Sequence, residues 1–151
     1  MAIGPSFYAY SAATDIKEPV MYVNYATKRD FDYITRRGLN AFGKICIARI
    51  GQIPRREKVQ NVEKAGGAGL LLFLDPEDVG PRTTREGPYP NSWWVGGSAM
   101  ERGSVAYVLG DPLTPGYPSR DGMYRIPQSK ASLPRIPCQP IGYDDARKIL
   151  S

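Results

Sequence analysis

The chain has 151 residues, with 20 lysines and arginines against 15 acidic residues and no histidine, so its formal net charge is +5. This length suits one domain with a sizeable hydrophobic core. Histidine is the commonest zinc ligand and the usual general base near neutral pH, so its absence argues against a self-contained zinc peptidase or serine hydrolase. We therefore expect no catalytic residue in this chain.

The composition also limits the partners and the fold. Sixteen glycines and fourteen prolines favour strands joined by structured loops over a helical bundle. Basic residues are interleaved with acids, as in Lys28-Arg29-Asp30, which is typical of a mixed solvated surface and not of a nucleic-acid site. No apolar run has the length of a membrane span, and the first residues lack a signal-peptide pattern.

The first half of the chain alternates strand and helix patterns after a lead segment over 1–18. Thr27 stands three residues before Asp30, which predicts a capping box at the start of a helix. The apolar runs on either side are short and rich in β-branched residues, as in strands. In chain order, we predict a strand over 19–25, a helix from Thr27 to Gly38, a strand over 43–50, a helix over 56–65 and a strand over 69–74.

The second half is rich in loops. Residues 76–110 have the pattern of a long structured loop, a kind of segment that is often functional. This loop carries Trp93 and Trp94, which either form a contact patch for a partner or hold the loop against the domain. A Pro-interrupted edge strand is predicted over 136–141 and a final helix over 144–150.

Several residues are of types that could bind a metal or form a disulfide, but a structural role explains their sequence context better. Cys46 and Cys138 sit in apolar runs, so we predict two core residues, while a disulfide between them stays open. Asp75, Glu77 and Asp78 offer oxygens to calcium, but Asp-Pro-Glu-Asp is a common turn composition and lacks the EF-hand spacing. A solvated turn is the preferred interpretation.

Taken together, several segments resemble the protease-associated (apical) domain of the glutamate carboxypeptidase and transferrin receptor family. The most specific is Asp111 to Pro118, eight consecutive residues with three prolines. The resemblance spans nearly the whole chain. Its other segments are Tyr22 to Ala26 with Asp30-Phe31, Gly43 to Ile45 with Ala48-Arg49, Lys58-Val59 with Asn61, Asp75-Pro76, Glu101 to Gly103, and Pro140 to Tyr143 with Asp145-Ala146.

The resemblance implies an α+β fold, a β-sandwich-like mixed sheet flanked by short helices, as one domain over 1–151. It further implies that this domain belongs to a larger membrane-anchored ectodomain whose zinc ligands lie in a separate peptidase domain. The implied partners are that peptidase domain, a peptide substrate and a second copy of the parent in a homodimer. No cofactor is expected in this chain, whereas zinc and calcium are implied for the parent.

The resemblance also carries over to particular residues. Arg55 matches the family arginine that reaches a substrate carboxylate, and a guanidinium can hold a carboxylate bidentately. Ser104 occupies the position of an asparagine in the glutamate-specific members, and it is shorter and lacks the amide donors. This difference favours the acidic-dipeptidase-like, aminopeptidase-type branch. Thr114 and Tyr117 match positions whose main-chain oxygens help to bind a structural calcium ion.

The sequence therefore predicts a non-catalytic domain that shapes substrate access in a zinc exopeptidase and contributes Arg55 to substrate binding. The alternative is a receptor-like interaction domain without peptidase activity, which would bind a protein through the loop with Trp93 and Trp94. Receptor members of the family keep the fold without the chemistry, so the resemblance leaves both open.

Overall fold

A computed structural model of the chain describes residues 5–80, 87–92 and 95–151. Short strands and helices alternate through its first half, as the sequence predicts. The elements in chain order are β1 (Tyr8–Ala9), β2 (Val20–Tyr22), α1 (Lys28–Arg36), β3 (Ile45–Arg49), α2 (Arg55–Lys64), β4 (Gly69–Phe73), α3 (Pro76–Val79), β5 (Gly103–Ser104), a 3-10 turn (Gln128–Lys130), β6 (Cys138–Ile141) and α4 (Tyr143–Leu150).

The start of α1 confirms the predicted capping box. The hydroxyl oxygen of Thr27 accepts a hydrogen bond from the Asp30 amide at 3.2 Å, and the Asp30 carboxylate accepts one from the Thr27 amide at 2.9 Å. Both bonds satisfy amides that a helix start leaves without partners. The helix ends before Gly38, which has a positive φ of 74°.

The main sheet has the order β2-β3-β4-β6, and its described strand pairs are all parallel. The central strands β3 and β4 are largely buried, which explains their nearly continuous apolar sequences. β6 lies at the edge of this sheet, where Pro140 is tolerated because an edge strand can dispense with one amide donor. The predicted α+β fold is thus confirmed, with parallel strand pairs.

The two faces of the sheet are covered by different helices. On one face, Val59 and Val62 of α2 are fully buried in the larger apolar cluster. On the other face, Ala146 of α4 packs against Ile47 and Phe73. Because both faces are covered, the carboxyl ends of the strands and the loops that follow them are the surfaces left for function.

Cys46 and Cys138 are both buried free thiols, as the sequence predicts for core residues. The register settles the question of a disulfide, because Cys46 and Cys138 are each paired with Leu70 from opposite sides. Two strand spacings separate them, roughly 9.5 Å, whereas a disulfide needs Cα atoms about 5–6 Å apart.

A second, two-stranded sheet was not predicted. β1 pairs in parallel with β5, with Tyr8 opposite Gly103 and Ala9 opposite Ser104. Each strand has two residues, which is too short for an alternating pattern to be visible in the sequence. This pair joins the lead segment of the chain to the segment that carries Ser104.

Candidate functional site

Arg55 is the first residue of α2, directly after the N-cap Pro54. Its guanidinium reaches the segment around β5: Nη1 contacts a carboxylate oxygen of Glu101 at 2.5 Å. Its Nε donates a hydrogen bond to the main-chain oxygen of Ser104 at 3.2 Å. The structure therefore brings together Arg55 and Ser104, the two residues that the resemblance assigns to substrate binding.

Glu101 is held from two sides. The Tyr8 hydroxyl donates to the second carboxylate oxygen of Glu101 at 3.0 Å. The Ser6 hydroxyl donates to the main-chain oxygen of the same residue at 2.8 Å. Burial, and next the neighbouring Glu101 carboxylate, raise the pKa of Tyr8 far above its ordinary value, so Tyr8 stays a neutral donor. The Arg55–Glu101 pair is thus fixed to the first strand of the chain.

Gly103 allows the guanidinium to lie against β5. A Cβ atom built on Gly103 would stand 2.6 Å from Nη2 of Arg55. Any side chain at this position would therefore have to move the guanidinium. Among the described residues, none accepts a hydrogen bond from Nη2, which leaves this nitrogen as the donor available to a ligand.

These residues line an open groove of about 560 Å³. The groove runs between the loop before α2 and the segment after β5, and it combines charged walls with apolar side chains. Its lining residues are Ile50, Gly51, Ile53, Pro54, Arg55, Arg56, Lys58, Glu101, Ser104, Ala106, Val108 and Leu109. A groove with a small number of placed polar groups between apolar walls is a common form of binding site.

Lys58 reaches the same region from one turn further along α2, and its side chain is fully buried. Its ammonium donates to the main-chain oxygens of Tyr25 at 2.6 Å and Gly51 at 2.8 Å. Burial lowers the pKa of Lys58 from 10.5 to about 8. The ammonium therefore holds the loop that leads into Arg55, although burial disfavours its charged form.

Ser104 presents its main chain, and not its hydroxyl, to Arg55. The hydroxyl oxygen accepts a hydrogen bond from the Ala106 amide at 3.1 Å and thereby closes a local turn. The side chain is exposed, so its O–H remains a donor for a ligand. A single donor of this kind cannot replace the two amide donors of an asparagine.

Thr114 and Tyr117 lie in the turns after residue 110. Thr114 is buried, and its main-chain oxygen accepts from the Tyr117 amide at 3.3 Å. The Thr114 hydroxyl is buried without a hydrogen-bond partner among the described residues. Main-chain carbonyls are hard oxygen ligands and fit calcium, but calcium takes six to eight oxygens. These two positions fit part of a calcium site, so its carboxylates would have to come from elsewhere.

Across residues 5–80, 87–92 and 95–151, no three side chains of the metal-binding types lie close enough to hold a metal ion. Within the same ranges, no helix has the length and apolar character needed to cross a bilayer. Trp93 and Trp94, which the sequence predicts as a partner contact, lie outside the described residues.

The carboxylates after β4 are not a purely solvated turn, so that expectation is wrong. Arg49 lies 3.4 Å from the carboxylate of Asp75 and 3.5 Å from that of Asp78. The hydroxyl of Tyr25 donates to Asp78 at 2.6 Å. Asp75 also caps α3, which replaces the predicted turn by one turn of helix. An arginine between the two carboxylates gives them an ion-pairing role and takes the place a cation would have.

Sequence reasoning missed Glu101 and Lys58 as parts of the site. In the sequence, Glu101 stands out only as part of the resembling segment Glu101 to Gly103, and Lys58 only as the neighbour of Val59. The signal for Lys58 is its spacing of four positions from the apolar Val62, which places it on the buried face of α2 with Val59 and Asn61. Nothing in the sequence reveals the contact between Arg55 and Glu101, because it depends on how β5 pairs with β1.

Comparison with known proteins gives the same picture across most of the chain. A family profile described as "PA domain" matches residues 7–108. The mouse protein named aminopeptidase NAALADL1 is 36% identical over 146 residues, which cover 95% of this chain and 20% of that protein. A Caenorhabditis elegans glutamate carboxypeptidase 2 homolog is 32% identical over 153 residues, covering 97% of this chain and 20% of its own length.

Human transferrin receptor protein 2 is 31% identical over 147 residues, covering 97% of this chain and 18% of that protein. This chain thus spans about a fifth of the length of the curated relatives that it matches. Proteins named as peptidases and a protein named as a receptor both contain a segment similar to this chain.

Proposed function

Since the chain belongs to the PA domain family, we propose that it is the non-catalytic PA domain of a zinc-dependent exopeptidase. In this role it forms one wall of the approach to the active site and holds a carboxylate of the peptide substrate. Arg55 is the binding residue, and Ser104 is the neighbouring polar contact. The similarity to proteins named as an aminopeptidase and a glutamate carboxypeptidase homolog supports this class of parent.

The observation that carries the proposal is the position of Arg55. Two of its nitrogens are engaged by Glu101 and Ser104, which fixes the plane of the guanidinium. Arg55 lines the groove, and Nη2 donates to no acceptor among the described residues. A guanidinium that is already oriented loses little conformational entropy when it binds a ligand. Arg55 is therefore a directed donor for a carboxylate oxygen.

The peptidase chemistry belongs to another domain of the parent. Zinc bound there would polarise the scissile carbonyl and activate water, which a chain without histidine is not equipped to do. Thr114 and Tyr117 would supply main-chain oxygens to a calcium ion at the junction with the peptidase domain. That domain is the main partner, and the proposed parent is a membrane-anchored ectodomain that forms a homodimer.

Peptide hydrolysis by the full-length protein tests the role of Arg55. Arg55→Ala should lower kcat/KM by the factor that corresponds to a loss of about 1.5–3 kcal/mol of transition-state stabilisation. This is the free energy of a hydrogen bond to a charged group. Arg36→Ala is the matched control, because Arg36 is an exposed arginine of α1 that does not line the groove. Equal kinetics of the Arg55 variant and the unchanged protein on several peptides would overturn the proposal.

The second candidate is a receptor-like interaction domain, favoured by the similarity to human transferrin receptor protein 2. In that case a partner protein, and not a peptide, would contact Trp93 and Trp94. A folded Trp93→Ala/Trp94→Ala variant should then lose its partner in a pull-down with the native binding protein, while Arg55→Ala retains it. Retention by both variants would count against this candidate.

A further inference from the structure

Arg55 already has a carboxylate partner within its own chain. The contact between Nη1 and Glu101 joins two side chains that are only partly exposed, 31% for Arg55 and 24% for Glu101. Partial exclusion of water makes this pair stronger than one at a fully exposed surface. Much of the positive charge of Arg55 is therefore neutralised before any ligand arrives.

A ligand carboxylate on Nη2 would bind the same planar group as Glu101. The two negative charges would then stand a few ångströms apart, and their repulsion opposes the attraction to Arg55. An uncharged ligand group, such as an amide carbonyl, accepts a hydrogen bond from Nη2 without this repulsion. Glu101 thus acts more strongly on anionic ligands than on neutral ones.

Glu101 is not free to swing away when a ligand binds. The Tyr8 hydroxyl holds its second oxygen, and the Ser6 hydroxyl holds its main chain. The pairing of β1 with β5 keeps Tyr8 opposite Gly103, two residues after Glu101. The carboxylate is thereby a fixed part of the groove wall.

We propose that Glu101 is a specificity-determining residue of this groove, a resident carboxylate that weakens the binding of ligand carboxylates to Arg55 relative to neutral carbonyl groups. The proposal rests on the proposed function, since it takes Arg55 as the ligand contact. Beyond that function, the groove binds a carboxylate with low affinity because of Glu101. Replacing Glu101 by an uncharged residue should therefore raise the affinity for carboxylates relative to neutral carbonyl groups.

The experiment uses the chain with isotope-labelled arginine, titrated with acetate as a carboxylate probe and with acetamide as its neutral counterpart. The Nε–H signal of Arg55, assigned with Arg55→Gln, reports binding. Glu101→Gln should bind acetate on the order of three- to tenfold more tightly than the unchanged chain, with acetamide binding unchanged. Glu57→Gln is the matched control, because it removes the same charge from an exposed position on α2 and should change neither affinity.

Equal or weaker acetate binding by Glu101→Gln would overturn the proposal. If the amide signals of Glu101→Gln show that this variant is unfolded, Glu101→Met, which removes the same charge, replaces it in the experiment. Failure of the proposed function has a different signature, since acetate would then leave the Arg55 Nε–H signal unmoved both in the unchanged chain and in Glu101→Gln. Acetate binding that needs Arg55 but does not respond to Glu101 overturns the inference alone.

Discussion

The ammonium of Lys58 lies 2.6 Å from the main-chain oxygen of Tyr25, inside the domain and away from solvent. Its second acceptor is the main-chain oxygen of Gly51, at 2.8 Å. Both acceptors belong to loops that leave the carboxyl ends of strands, one after β2 and one after β3. A single buried side chain thus joins two loops that a parallel sheet brings to the same edge.

Replacing Lys58 should destabilise the domain. Lys58→Met leaves the buried main-chain oxygen of Tyr25 without its donor, while that of Gly51 keeps the Ile53 amide. We expect the free energy of unfolding at pH 7 to fall by about 2 kcal/mol. Urea unfolding followed by circular dichroism measures the loss. Lys64→Met, at an exposed position of the same helix, is the control and should change stability by less than about 0.5 kcal/mol. Similar losses in both variants would contradict the prediction.

The same lysine gives stability a pH dependence of defined sign. Its pKa in the folded chain is about 8, below the 10.5 of an unfolded lysine, so the unfolded chain binds more protons at this site between the two values. Stability from this group therefore rises with pH across that window. The difference in unfolding free energy between the unchanged chain and Lys58→Met should grow from pH 8 to pH 10. A constant or shrinking difference would contradict this assignment.

The buried thiols act in the opposite direction at high pH. Burial raises the pKa of Cys46 and of Cys138 from 9.0 to about 12. The unfolded chain loses these protons first, so the stability that both thiols contribute is fully present below pH 9 and is lost as pH rises toward 12. Because the thiols contribute equally to the unchanged chain and to Lys58→Met, the pH dependence due to Lys58 is obtained from the difference in unfolding free energy between these two.

The thiols should also be unreactive towards thiol reagents in the folded chain. A buried, protonated thiol is a poor nucleophile, so we expect a thiol reagent such as Ellman's reagent to label neither Cys46 nor Cys138 at pH 8 without denaturant. In urea, both should react within the mixing time. Rapid labelling of one thiol in the folded chain would show that its strand opens locally.

Gly103 offers a way to disturb Arg55 without removing it. In Gly103→Ala the new Cβ would meet Nη2 at 2.6 Å, so the guanidinium must move, whereas the backbone of Gly103 does not need a positive φ. We expect a shifted Arg55 Nε–H signal and weaker acetate binding, with a change in stability below about 1 kcal/mol. In Gly96→Ala no atom of the residues that the structure describes lies within 4 Å of the new Cβ, so this variant is the control. An unmoved Arg55 signal would contradict the geometry.

The sequence predicts the larger elements well because their signals are local. The capping box of Thr27 and Asp30, the apolar strands β3 and β4, and the Pro-interrupted edge strand all depend on residues close together in the chain. The position of Arg55 beside Ser104 followed from the resemblance and from no local pattern. Its contact with Glu101 could not be foreseen, since 46 positions separate the two residues and the link runs through the pairing of β1 with β5.

That pairing decides where the domain can be shortened. A chain trimmed to begin at residue 19 would keep every strand of the main sheet, yet it would lose Tyr8 and the neighbour on which β5 is aligned. Glu101 and Ser104 would lose the support of β1 and would keep their contacts to Arg55. Because Tyr8 is also buried in the larger apolar cluster and Ser11 accepts from the Cys138 amide of β6, the same truncation would open the core as well, so the first residues of the chain support both the groove and the core.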